Sequence, residues 1–489
     1  MNLNNLLSLR TKTMHAGRGN KPARVQHAAL TLATLALLGA CSLAPDYQAP
    51  RADMSNQYAA DDVAAVAAQS AELSWSQLVQ DPTLVALIHE VQQQHRSLEQ
   101  ARLTLSQLAA QADQANANRY PSIVANANSS KQRLPADLSG TGSARINQQA
   151  SVGLGISAFE LDLFGSAANQ ADAARQQFYA GQASTRASEL TIASAFVSQY
   201  LTLQLHQQQQ QLAARTADTL QQRLALISAR AAAGLDNELT LAQAKREFAA
   251  TQVSLAQYDN LLAQDIHALE TMLRRPLRPQ ELARSGQAIS QLTPVAAGIP
   301  AALLTKRPDI MAAEYQLKAT HANIGVARAA YFPSISLTAS AGSTSSELSN
   351  LFQAGSGSWS FSPQINLPLW DFGARAANLE QATLARDIAV SSYQQRIEQA
   401  FREVADSLSA VRYGSIQLKA AQDQHSAAMQ ALQLTQQREA TGLDSAIARL
   451  DAQRSWYTAA AQQLQYDADL QIARLNLFKA LGGEQSASN

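Results

Sequence analysis

Apolar positions follow three rhythms along this chain. From Ala28 to Leu38 they are almost continuous, reading AALTLATLALL. Around 152–158 and 334–340 they alternate: Val152, Leu154, Ile156 and Ala158 are separated by Gly or Ser, and so are Ile335, Leu337 and Ala339 by Ser or Thr. Period two predicts strands with one apolar and one polar face. Over much of the remainder the steps are three and four, as in Ile397, Phe401, Val404, Leu408 and Val411. Leu450, Tyr457, Leu464 and Phe478 keep multiples of seven, which is coiled-coil spacing. No proline interrupts Gly165 to Arg275 or Asp371 to the end. These stretches predict two hairpins of very long helices, with first limbs of ~69 residues, or ~100 Å at 1.5 Å per residue.

The chain is written twice. Phe164-Gly165 recurs as Phe372-Gly373, and Gly234-Leu235-Asp236 recurs as Gly442-Leu443-Asp444, both 208 residues later. Tyr120-Pro121-Ser122-Ile123 recurs as Phe332-Pro333-Ser334-Ile335 at offset 212, so a loop between the motifs absorbs four residues. Each copy predicts the same order. A helix comes first, Asp81 to Arg119 and Arg307 to Tyr331, each broken by the proline that follows. Two short strands come next, separated by turn-rich stretches at Leu134–Gly142 and Gly342–Gly357. A long hairpin closes the copy. At its turn Gly ends one helix and Asp is placed to cap the next.

Four strands per chain cannot close a barrel, for which about eight is the small end. An open sheet in lipid would leave its edges unsatisfied. If these strands meet a membrane, several protomers must share one barrel. The helices and strands alone leave open a coiled-coil scaffold and a small periplasmic sheet.

The amino terminus is an address. Arg10, Lys12, Arg18, Lys21 and Arg24 precede the apolar run, which is followed by Leu38-Gly39-Ala40-Cys41-Ser42. This is the layout of a secretory signal, and the run is too short to span a bilayer. Leu-Gly-Ala-Cys resembles the bacterial lipobox, in which Cys41 becomes the first mature residue and carries lipid. Met14 is an alternative start. Cys41 is the one cysteine of the chain, so no intrachain disulfide forms.

Charged residues make up 16% of the chain, below the usual quarter. The formal net charge is zero, and loss of the five cations of the signal leaves a mildly acidic chain. That argues against a nucleic-acid partner, which needs a basic footprint. The eight histidines are scattered without HExxH spacing, and no glycine-rich phosphate loop occurs. No catalytic residues, metal site or cofactor are expected, and the chain reads as a non-enzyme.

Further motifs carry a resemblance. Cys41-Ser42 is followed by Ala44-Pro45-Asp46-Tyr47, then Trp75 with Asp81-Pro82. Arg307-Pro308-Asp309-Ile310, Leu450-Asp451-Ala452-Gln453-Arg454-Ser455 and Leu481-Gly482-Gly483 come after in order. Over some 440 residues this resembles the TolC-like outer-membrane factors, in their lipoprotein, OprM-like branch. The resemblance implies a homotrimer. Each protomer would give four strands to a twelve-stranded transmembrane β-barrel, and duplicated helical hairpins would form an α-barrel tunnel. It implies a cell outer-membrane location, with the helices in the periplasm. The partners would be outer-membrane lipid, a periplasmic adaptor and an inner-membrane pump of RND or similar type. The duct would let out drugs or other small compounds; a duct for secreted polypeptides uses the same fold.

The expected divisions are a signal peptide at 1–40, a tether at 41–80, a first repeat at 81–276, a linker at 277–306, a second repeat at 307–483 and a tail at 484–489. Arg230, Gly234, Leu235 and Asp236, with Arg438, Gly442, Leu443 and Asp444, are expected to form tips that meet the adaptor. Relatives often narrow the tunnel with carboxylates just before the second tip. Here that helix carries no acid from Leu432 to Arg438, and Leu434 with Gln437 are the candidates for the constriction, beside Asp423 and Glu439.

Overall fold

The computed structural model describes residues 42–50, 74–286, 288–295 and 307–483. The signal segment, Cys41, most of the tether, part of the linker and the tail at 484–489 lie outside the described residues.

The order of the described elements is α1 (Trp75–Leu78), α2 (Pro82–Gln94), α3 (Arg96–Ala117), β1 (Ile123–Leu134), β2 (Arg145–Leu161), α4 (Ser166–Ala232), α5 (Glu238–Leu273), α6 (Pro279–Ser285), α7 (Pro308–Ala329), β3 (Ser334–Ser345), β4 (Gly357–Asn366), α8 (Ala374–Ala440) and α9 (Ala446–Ala480). The duplication is closest in the long hairpins. The helices α4 and α8 are both 67 residues long and start 208 residues apart, as do α5 and α9.

Several expectations need correction. The first helix is two, α2 and α3, because His95 adopts an extended conformation; its ring accepts from Ser97 N and caps α3. The strands are not short: they run 10 to 17 residues. Gly342 to Ser345 belong to β3 rather than to a turn. Ala158 does not continue the alternation. It sits at φ 48° in a bulge, and Phe159 takes its place opposite Leu337.

The chain divides into two compact units, neither of them a sequence repeat. Among the described residues, one combines 42–44, 119–169 and 325–375 and holds the sheet; the other combines 45–50, 74–118, 170–286, 288–295, 307–324 and 376–483. In the first unit the strands form one antiparallel sheet in the order β1-β2-β3-β4, so both hairpins lie side by side and β1 and β4 are its edges. Phe164 stacks on Phe332 at 4.6 Å, joining the start of one long hairpin to the start of β3.

The core of the second unit gathers where the helices crowd. Trp75, Leu84 and Ile88 from α1 and α2 bury against Phe196 and Tyr200 of α4, Leu269 and Leu273 of α5, and Phe478 of α9. Glutamines fasten the linker to this core. Gln204 both donates to Ser290 Oγ and accepts from Ser290 N, while Gln208 and Gln211 donate to Gly286 O. These bonds satisfy backbone that no strand or helix pairs. The run Gln207–Gln211 is therefore structural rather than a solvated low-complexity tract.

Candidate docking tips and pore-forming sheet

The two hairpin turns are built alike. Gly234 N donates to Ala231 O and Leu235 N to Arg230 O, and Gly442 and Leu443 repeat both bonds with Glu439 O and Arg438 O. This is the Schellman arrangement, with Gly at φ 73° and 77°. The aspartates do not cap the following helices. Asn237 accepts from Thr240 N, and Ser445 from Ala448 N. Asp236 and Asp444 instead accept from Arg230 and Arg438 at 2.7 Å, tying each turn to the last turn of its own incoming helix. The Arg438 guanidinium holds the Asp444 carboxyl below its usual range.

A Schellman turn usually packs its second exit residue back on the helix. Here Leu235 and Leu443 are 69% and 70% exposed. Capping alone gives them no reason to be leucine. Together with Leu226 and Leu434, also exposed and 208 residues apart, they leave matching apolar sites around both tips. Gln437 is exposed as well.

Sequence reasoning left Glu439 unplaced. The structure sets it between Arg223 of the first hairpin, at 2.6 Å, and Arg449 of α9, at 3.0 Å. Arg223 also donates to Ala446 O. Burial pushes the Glu439 carboxyl up, but the two guanidiniums outweigh it and the net direction is down. This cross-link joins the hairpins close to their turns. A comparison of the copies carries a signal for it: the counterparts of Arg223 and Glu439 are Ala431 and Ala231, so each copy holds one half of the pair. Asp423 is exposed and pairs with Lys419 at 2.8 Å.

The sheet has two unlike faces. Register places Leu154 beside Ala125 and Ala341, and Ala341 beside Trp359; the neighbouring row holds Ile123, Ile156, Ala339 and Phe361. Trp359, Phe361 and Ile365 are 81%, 61% and 68% exposed. The opposite face is mostly hydroxyl, amide and glycine, with Asn126, Gly153, Ser340 and Ser360 among its residues, and carries Glu160 and Arg145 towards its two ends. An exposed apolar face of this extent marks a surface made for lipid or another protein. Among the described residues no helix is long and apolar enough to cross a membrane and no cluster offers metal ligands.

The family model for outer membrane efflux proteins matches residues 87–273 and 299–483, well over half of the chain. The chain belongs to the outer membrane efflux protein family. It is similar to the antibiotic efflux pump outer membrane protein ArpC of Pseudomonas putida, 38% identical over 463 residues that cover 93% of this chain and 95% of that protein. Outer membrane protein OprJ of Pseudomonas aeruginosa is 36% identical over 451 residues, covering 91% and 93%. Among solved structures, the open state of the Neisseria gonorrhoeae MtrE outer membrane channel aligns with TM-score 0.83 at 30% identity, over 91% of this chain and 98% of that one. The fold is that of the family's outer-membrane channels, mostly helical with four antiparallel strands per protomer.

Arg307-Pro308-Asp309 ties three helices together. Arg307 is buried and donates to Ala480 O, Asp309 and Glu403, so the start of α7 is stapled to the end of α9 and to α8. Burial alone would weaken the charge of Arg307; its two carboxylate partners reverse that and raise its pKa.

Proposed function

We propose that this chain is one protomer of a homotrimeric outer-membrane exit duct in a tripartite efflux system. It is lipid-anchored at Cys41 and has no enzymatic role. The observation that carries the reading is the sheet: one apolar exposed face, one mostly polar face, and two edges without partners in the protomer. In lipid such edges must be paired, and three copies give twelve strands, enough to close a barrel with the polar face inward. The long hairpins would line the periplasmic tunnel. A passive duct takes its driving force from an inner-membrane pump, reached through a periplasmic adaptor. Relatives named for antibiotic and toluene efflux support small, largely apolar compounds as cargo.

The tips Arg230, Gly234, Leu235, Asp236, Arg438, Gly442, Leu443 and Asp444 dock the adaptor, the exposed leucines supplying contact and the Arg–Asp pairs fixing the turns. Leu434 and Gln437 narrow the periplasmic mouth, since Glu439 and Asp423 are engaged with cations of their own protomer.

Planar-bilayer conductance of the purified protein tests the duct directly. Stable channels are expected, and a trimer without conductance would leave a scaffold. Drug and solvent susceptibility of a deletion strain, set against loss of a secreted polypeptide, separates the two kinds of cargo. Substituting both Leu235 and Leu443 by Ser should abolish adaptor crosslinking while channels persist. Normal crosslinking would remove the tips from the interface.

A further inference from the structure

The apolar face of the sheet ends in charge at one end. Taking the rows from the ends joined to helices, the first outward row holds Leu161, Ile335 and Ile365. Outward positions then carry no charge through Ser129, Ala150 and Ser345. The next outward residue of β1 is Lys131, opposite Gln148, and the one after is Arg133, opposite Ile146. Both side chains are exposed, and neither has a hydrogen bond or ion pair among the described residues.

Lys131 lies six rows beyond Leu161. Six rows are about 40 Å along a strand and, at a tilt of about 40°, roughly 30 Å along the membrane normal. The apolar band of such barrels is about 25 Å tall. Lys131 therefore stands just outside the hydrocarbon and Arg133 one row farther, both on the lipid side. Every strand end at the Leu161 row is joined to a helix within eight residues, whereas Lys131 and Arg133 lead into the β1–β2 turn. With the helices in the periplasm, the charged end faces the outer leaflet. Arg145, opposite Leu134, belongs to the other face.

We propose that Lys131 and Arg133 form a binding site for the phosphates of the outer-leaflet glycolipid, the bisphosphorylated lipid A moiety of lipopolysaccharide. The site rests on the reading of this sheet as part of an outer-membrane pore. Two unpaired cations two residues apart on one strand face suit a headgroup bearing phosphates above acyl chains that lie on Ala127, Val152 and Leu154. An ordinary anionic phospholipid would meet the same charges. The site commits to lipid A because that headgroup carries two phosphates for the two cations, where phosphatidylglycerol carries one.

Binding of bisphosphorylated lipid A to the detergent-purified full-length oligomer, followed by native mass spectrometry, tests this. Dephosphorylated lipid A should bind about 30-fold more weakly, as expected for two basic residues near an anionic surface. In K131Q/R133Q the two lipids should bind alike, while R145Q keeps the wild-type preference. Equal binding of both lipids to the wild type overturns the site, and so does preference retained in K131Q/R133Q or equal binding of phosphatidylglycerol. Conductance of the same preparations is recorded in parallel. Absence of channels in the wild type would remove the pore reading itself, whereas normal channels with phosphate-blind lipid binding would remove this inference alone.

Discussion

At Gly234 and Gly442 the backbone, not the available space, decides the residue. A Cβ at either position would meet nothing within 4 Å, yet φ is 73° and 77°. A β-branched side chain there costs about 1–2 kcal/mol in the left-handed region. Gly442→Val should therefore loosen the last turn of α8, and Gly442→Asn, which tolerates this region, should do so far less. Hydrogen exchange at the Leu443 amide reads the difference, and equal protection in the two variants would refute the backbone argument. Ala158 is the converse case. It holds φ 48° in the β2 bulge with its N–H donating to Thr338 Oγ1 at 3.2 Å. Glycine removes the steric penalty but loses more entropy on folding. Ala158→Gly should raise stability by about 0.5–1 kcal/mol, seen as a higher denaturation midpoint. A lower midpoint would show that the Ala158 methyl makes a contact worth more than the strain.

Long elements were legible because their signal is redundant. Heptad spacing, absence of proline and a repeated Gly-Leu-Asp all predict hairpins of this length, and the first limbs come out at 67 residues. Shorter-range signals gave less. Of the outer strands, β1 mixes Asn, Ser and Lys into a weak alternation, whereas β4 alternates Trp359, Phe361 and Ile365 with Ser and Gln over only ten residues. Asp236 and Asp444 suit capping by type, but Arg230 and Arg438 claim them and Asn237 and Ser445 cap instead. The tip motif itself was visible; its bridging partner Glu439 was not, because the pair is split between copies. That bridge makes an element-scale prediction. The Glu439 carboxyl is held below its ordinary value in the fold. Its contribution is complete above the ordinary glutamate pKa of about 4.3 and is lost as pH falls below that. Spin labels on the two hairpin turns should give a narrow distance distribution at neutral pH that broadens at more acid pH. Glu439→Gln should be broad throughout. Identical distributions in the two proteins at neutral pH would show that packing alone holds the hairpins together.

For the whole molecule, the sheet decides between a pore and a scaffold because its two faces respond oppositely to one change. Leu154 lies three rows above Leu161, about 15 Å along the normal and so near the middle of a 25 Å band. An arginine there meets hydrocarbon and costs about 2–4 kcal/mol. A trimer presents the position three times, so the penalty is repeated in every barrel. Ser360 lies on the opposite face, where its hydroxyl meets Ser340 Oγ at 2.7 Å. An arginine at 360 would enter a water-filled lumen at little cost in stability and place three positive charges in the path of ions. Leu154→Arg should thus reduce the amount of oligomer extracted from outer membranes. Ser360→Arg should yield normal oligomer whose channels shift toward anion selectivity in a salt gradient. A scaffold with a periplasmic sheet predicts no such contrast, since both positions are exposed and arginine on a water-facing surface is harmless. Reversal potentials and oligomer yields of the two variants, measured side by side, therefore separate the architectures without knowledge of pump, adaptor or cargo.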